Sequence, residues 1–235
     1  MMAWVPTGRK GIAQFAREWG VVVAIGLVTL VAISKIGEDV FAGESTAFDK
    51  GVQRWMLAHQ SPPVATFFLW VTRLGGLSGM IIVSLGAALS LWRRNQRRLV
   101  AIVLLAPGIA AGAFSLVKTI YARPRPIGLG GVVPSSYSFP SGHATASAAI
   151  CCTVAYLFWR ERIVPRPVAL LFAAVTPLLI GISRLYLNVH WATDVLGGWA
   201  GGVLIALLSV VLYERQRAVP PRNVLQSTHA HSPDA

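Results

Sequence analysis

Long apolar runs separated by short charged turns constrain this chain more than any other feature. Val21 to Ile36, Leu74 to Trp92, Leu99 to Lys118, His143 to Trp159, Pro167 to Leu185 and Trp191 to Tyr213 are the six runs. A bilayer hydrocarbon core of about 30 Å is crossed by roughly 20 mostly apolar residues in a helix. Inside lipid every backbone polar group must be satisfied within the protein, which selects helices for segments of this kind. The expected fold is therefore all-α, a polytopic membrane protein with six transmembrane helices. A hydrophobic fraction of 54% against 13% charged residues supports it, since soluble domains carry about 25% charge.

Between the first and second runs, Glu38 to Gln60 is mixed, and Phe48, Val52, Trp55 and Met56 recur at roughly helical spacing. Two readings stand side by side: an amphipathic helix lying in the membrane interface, or an ordinary helix packed in a loop. Pro62 and Pro63 end it, and Val64 to Thr72 reads as a lead-in that stops at Arg73 and the Gly75-Gly76 pair. The first run resembles a signal peptide followed by Val40-Phe41-Ala42. It is long for a secretory core of about 7–15 residues, so an uncleaved anchor is expected. Pro107 in the third run is tolerable where neighbours satisfy the freed carbonyl. Gly197, Gly198, Gly201 and Gly202 in the sixth run read as a packing face, because no strand precedes them as a nucleotide loop requires. Cys151 and Cys152 sit inside an apolar run and give neither a disulfide framework nor metal-ligand spacing.

The net charge is +12, which raises nucleic acid as a partner. The distribution of the basic residues argues otherwise. With six spans, thirteen of the 21 Lys and Arg fall on the side of the N-terminus, the 93–98 and 160–166 turns and the C-terminus. That asymmetry is the positive-inside pattern of cytoplasmic loops, and short turns offer no groove-sized basic surface. The expected organisation is a cytoplasmic N-terminus over 1–18, a transmembrane domain over 19–213 and a polar cytoplasmic tail over 214–235. Trp19, Trp92, Trp159 and Trp191 fall at span ends, as an interfacial aromatic belt requires.

Three polar clusters sit at ends of the runs on the opposite side. Ser183 to Asp194 (SRLYLNVHWATD) holds Arg184, His190 and Asp194. If a helix begins near His190, the four-residue spacing places His190 and Asp194 on one face. A carboxylate there fixes the imidazole tautomer and leaves the other nitrogen free to attack. Arg184 is a planar, permanently charged fork suited to phosphoryl oxygens. Lys118 and Arg125-Pro126 close the third run, and Pro140-Ser141-Gly142-His143 opens the fourth. Ser141 and Gly142 stand where helix-start amides accept an anion.

Together K-x6-RP, PSGH and SR-x5-H-x3-D resemble the three signature motifs of the type 2 phosphatidic acid phosphatase and vanadium haloperoxidase superfamily. The motifs occur in order, with no departure at the signature positions, and span Lys118 to Asp194. The resemblance implies phosphate binding by Lys118, Arg125 and Arg184, a nucleophilic His190 oriented by Asp194, and His143 as the acid for the leaving oxygen and then the base for water. It fits the membrane branch, since the haloperoxidase enzymes are soluble. The expected activity is hydrolysis of a lipid phosphate or diphosphate through a phosphohistidine, with undecaprenyl diphosphate first among isoprenoid and glycerol lipid substrates. The site is expected to face the periplasm or cell exterior from a bacterial inner membrane. Neither a metal nor another cofactor is expected, because none of the nine acidic residues forms a paired cluster near the motifs. A lipid phosphotransferase using the same phosphohistidine toward an acceptor such as lipid A is the alternative. A transporter would need charges buried in mid-span, and the spans are almost free of them.

Overall fold

The computed structural model describes residues 9–127 and 136–218, so the ends of both polar termini and the Gly-rich centre of the loop before Pro140 lie outside the described residues. Eight helices and no strand occur among the described residues, which bears out the all-α expectation. The helices are α1 (Arg9–Ala42), α2 (Thr46–Ala58), α3 (Pro62–Gly75), α4 (Leu77–Arg93), α5 (Arg97–Tyr121), α6 (Gly142–Arg160), α7 (Arg166–Tyr186) and α8 (Ala192–Ala218). By length and composition four of them are fit to cross a membrane, and a fifth crossing is made if α3 and α4 act as one span bent by 54°. The chain is thus a multi-pass membrane protein.

The second expected span differs most from the sequence reading. The apolar lead-in is a full helix, α3, opened by Pro62 and Pro63 in its first turn. There proline costs nothing, because the first amides have no helical acceptor anyway. It breaks at Gly75, which packs against Ile180 of α7, and α4 begins at Leu77. Pro107 leaves α5 continuous. Pro177 in α7 removes the donor for the Ala173 carbonyl, and the Cys152 thiol approaches that oxygen at 3.8 Å. Cys152 is thus a packing residue of α6.

The centre of the molecule is α6, which packs on α3, α4, α5, α7 and α8. Its first turns are small residues, and Ala144, Ser147, Ala148, Ala149 and Cys151 are buried. A helix shielded from lipid by its neighbours needs no apolar outer face. The glycines of α8 bring it close to α6: a Cβ at Gly202 would stand 2.5 Å from the Thr145 carbonyl oxygen and 2.6 Å from Ala148 Cβ. The expected glycine packing face is therefore present. Thr145 Oγ1 also donates to the Gly198 carbonyl at 2.6 Å. By contrast α1 is peripheral, lying mainly along α8 with most of its apolar surface exposed.

Polar bonds tie the two ends of the bundle separately. At one end Gln96 donates to Glu161 (3.1 Å), Tyr213 donates to the same carboxylate (2.6 Å), and Arg160 pairs with Glu214 (2.8 Å). These join the basic turns. At the other end the tail of α5, the start of α6, the tail of α7 and the start of α8 converge, and this convergence places the three motifs together.

Candidate active site

Helix α5 ends with Ala122 in the left-handed region (φ 44°), and Arg123-Pro124-Arg125-Pro126 follows without helix. A residue before proline is pushed out of the helical region, and proline fixes its own φ. The segment is therefore a stiff strap that sets two guanidinium groups at fixed places. Arg125 donates from Nη1 to the Val189 carbonyl (2.8 Å) and from Nε to the Ser136 carbonyl (2.6 Å). Its Nη1 also reaches His190 Nε2 at 2.8 Å.

That last contact identifies the His190 tautomer. Arginine only donates, so Nε2 carries the lone pair and Nδ1 carries the proton. Nδ1 faces Asp194 Oδ2 at 3.3 Å. Burial pushes His190 down from 6.5 to about 3, against the pull of Asp194, and the ring is neutral at ordinary pH. Asp194 also accepts the Trp191 amide at 2.8 Å, as a carboxylate in the first turn of a helix does for the residue before it. The helix start near His190 is present, with α8 beginning at Ala192.

The remaining expected residues gather round this pair. Lys118 donates to the Tyr137 carbonyl, and its charge interacts with those of Arg125, Asp194 and Arg184. His143 stands in the first turn of α6 and feels the charges of Arg184, Arg125 and Lys118. Arg184 donates from Nη1 to Thr72 Oγ1 at 2.5 Å, while its buried Nε has no partner among the described residues. The buried Ser141 hydroxyl also lacks one.

The Ser141 amide donates to the Asp194 carbonyl at 2.9 Å and is not free for a ligand. Gly142 keeps its place at the helix start, where a Cβ would meet nothing within 4 Å. Ser183 is buried and donates to the Ile180 carbonyl at 2.6 Å, so within its motif it packs α7. Among the described residues no three His, Cys, Asp or Glu side chains form a group able to hold a metal ion.

Sequence reasoning missed four contributors. Arg123 pairs with Asp194 at 2.6 Å and with Asp49 of α2 at 2.5 Å. Ser138 donates to Asp194, and Thr72 holds Arg184. The signal for Asp49 was a stripe of Ser45, Asp49 and Gln53 at four-residue spacing, beside Val52 and Met56 and turned away from Phe48 and Trp55. The stripe packs on the site, and Phe48 and Trp55 are exposed on the side of α2 turned away from it.

Residues 96–218 match the family model of the PAP2 superfamily. Phosphatidylglycerophosphatase B of Bacillus subtilis is 31% identical over 167 residues, covering 68% of this chain and 80% of that protein. Decaprenylphosphoryl-5-phosphoribose phosphatase of Mycobacterium tuberculosis is 36% identical over 151 residues, covering 60% and 75%. The crystal structure of a transmembrane PAP2 type phosphatidylglycerolphosphate phosphatase from Bacillus subtilis superposes with a TM-score of 0.71 at 25% identity, over 85% of this chain and 98% of that one. With its motif residues assembled in one site and these likenesses over most of its length, the chain belongs to the PAP2 superfamily and is a membrane phosphatase.

Proposed function

We propose that this protein hydrolyses a lipid phosphate monoester or diphosphate through a phosphohistidine on His190. The observation that carries the reading is the lone pair of His190 Nε2, fixed by Asp194 behind the ring and set beside Arg125. In the first step Nε2 attacks phosphorus and the bond to the leaving oxygen breaks, the ester oxygen of a monoester or the bridging oxygen of a diphosphate, with His143, protonated once the substrate's negative charge stands beside it, giving that oxygen a proton. In the second, His143 takes a proton from water, water attacks phosphorus, and the P–N bond breaks to release inorganic phosphate. Lys118, Arg125 and Arg184, with the Ser141 hydroxyl and the helix start at Gly142, neutralise the oxygens as charge develops. In-line transfer of this kind asks the protein for charge and position, which these residues supply without a metal.

The substrate reaches the site laterally. The two curated relatives carry a glycerol lipid in one name and a decaprenyl lipid in the other, so phosphatidylglycerophosphate joins undecaprenyl diphosphate as a first candidate. Both relatives are phosphatases by name, which supports water over a lipid hydroxyl as the acceptor. Six crossings complete the layout: α6, 19 residues long, spans about 28 Å at 1.5 Å per residue and joins the α3–α4 pair and the four apolar helices. With the basic turns cytoplasmic, both termini are cytoplasmic and the site faces the periplasm or cell exterior of a bacterial inner membrane.

The test is phosphate release, with EDTA present, from phosphatidylglycerophosphate, phosphatidic acid, undecaprenyl diphosphate and p-nitrophenyl phosphate. A membrane-anchored substrate gains local concentration and orientation. The soluble ester should show kcat/KM at least about tenfold lower, about 1.4 kcal/mol, than the best lipid. Equal turnover of the soluble ester, or loss of activity in EDTA, contradicts the proposal.

A further inference from the structure

We infer that Arg123 and Asp49 are positioning residues for the reaction, a buried pair that fixes the Asp194 carboxylate and through it the His190 ring, and that makes α2 part of the catalytic apparatus. The inference rests on the reading of His190 as nucleophile and Asp194 as its orienting carboxylate.

Arg123 bridges two carboxylates. Its Nη1 donates to Asp194 Oδ1 (2.6 Å) and Thr193 Oγ1 (2.9 Å), and its Nη2 to Asp49 Oδ2 (2.5 Å) and Ser45 Oγ (3.3 Å). The three charged side chains are 13%, 0% and 1% exposed for Arg123, Asp194 and Asp49. Buried charges persist only when paired and hydrogen-bonded, and one guanidinium fork serves both acids. Asp49 is saturated: the Thr193 amide donates to Oδ1 at 2.9 Å and the Thr193 hydroxyl to Oδ2 at 2.8 Å.

The arrangement matters at Asp194 because its two oxygens have different duties. Oδ2 receives Ser138, the Trp191 amide and His190. The contact with His190, at 3.3 Å, is the longest of these, so its alignment depends on the carboxylate not turning. Among the described residues, Arg123 alone of the charged side chains holds Oδ1. Asp49 in turn holds Arg123 from the side away from Asp194. Partners that orient the ligands of metal sites from behind matter by about 10–100-fold when removed, and a loss of the same order is expected for a carboxylate that orients an imidazole.

A second observation ties α2 to the same place. Its inner stripe is wholly engaged there: Ser45 and Asp49 on Arg123, and Gln53 donating to Asn188 at 2.9 Å, two residues before His190. A cavity of about 10 Å³, room for a single water, lies between Asp49, Gln53, Asn188 and His190. The exposed face of α2 presents Phe48 and Trp55, so one short helix joins an apolar exterior to the carboxylate behind the nucleophile.

The experiment is a double-mutant cycle on the full chain purified in detergent. Asp49→Asn and Arg123→Gln are made alone and on an Asp194→Asn background, and assayed on the best lipid of the panel above. Inorganic phosphate serves as the probe of the anion site, with thermal unfolding measured in parallel. A residue acting through Asp194 loses its effect once Asp194 is altered. Each single variant should lower kcat about tenfold or more, with the inhibition constant of phosphate changed less than about twofold, since Lys118, Arg125 and Arg184 are untouched. On the Asp194→Asn background the further loss should be under about twofold. Arg123→Lys keeps the charge but not the fork and should recover part of the kcat lost in Arg123→Gln; it also carries the comparison if Asp49→Asn does not fold. Equal fold losses on both backgrounds, or single variants with unaltered kcat, overturn the inference while leaving the phosphohistidine reading intact. A fully active Asp194→Asn overturns that reading of Asp194, and the inference with it.

Discussion

At His190 the two ring nitrogens face different partners, Asp194 at 3.3 Å and Arg125 at 2.8 Å. Holding the ring neutral has a consequence for pH. An isolated histidine titrates near 6.5, and burial pushes His190 down to about 3. Between those values the unfolded chain binds a proton here and the native chain does not, so this group's contribution to stability falls as pH drops below 6.5. Activity follows the native value, because only protonation of the folded site removes the lone pair. The acid limb of kcat/KM, corrected for ionisation of the substrate phosphate near pH 6, should therefore lie well below 6.5. A pH–rate profile from about pH 4 to about pH 8 checks it, and a limb at 6.5 traced to His190 would contradict it. Lys118, Arg125, Ser141, Gly142, His143, Arg184, His190 and Asp194 were readable because each falls within a short motif of fixed spacing. Arg123, Asp49 and Thr72 were not, because their partners lie 71, 74 and 112 residues away along the chain. Even inside a motif the backbone can be committed elsewhere, as the Ser141 amide is to Asp194.

Helices were readable as apolar runs, and their packing was readable only where small residues repeat. The break between α3 and α4 was half visible in Gly75-Gly76, but its cause is the close approach of Ile180 from another helix. The α8 glycines give the sharper test. A side chain at Gly202 meets the backbone of α6, which cannot rotate away: the Thr145 carbonyl oxygen would lie 2.5 Å from the new Cβ. Gly202→Val should separate α6 from α8 and destabilise the protein by about 1–3 kcal/mol or more. Gly108→Ala in α5 meets nothing within 4 Å and should be neutral or stabilising by up to about 1 kcal/mol. Thermal unfolding in detergent measures both, and a Gly202→Val protein as stable as its parent would show that the tight α6–α8 crossing is not needed.

On the scale of the molecule, the motifs meet at one end and the basic turns at the other, so sidedness is a single question. Arg94 is exposed in a basic turn and Glu44 is exposed between α1 and α2 at the motif end. Single cysteines at these positions, in a chain lacking Cys151 and Cys152, should label from opposite sides. Glu44→Cys should react with an impermeant reagent in intact cells, and Arg94→Cys only after lysis. The reverse pattern would put the site in the cytoplasm. Turnover by this mechanism depends on covalent transfer to one imidazole, and trapping that adduct tests it most directly. Brief incubation with a lipid substrate labelled in its reactive phosphate, quenched in alkali, should leave an acid-labile, base-stable phosphoryl group on the protein. Mapping should place it at His190, and His190→Ala should lose both the label and turnover while remaining folded. A His190→Ala protein that still turns over substrate at a near-normal rate, or a label mapping to His143, would contradict the account.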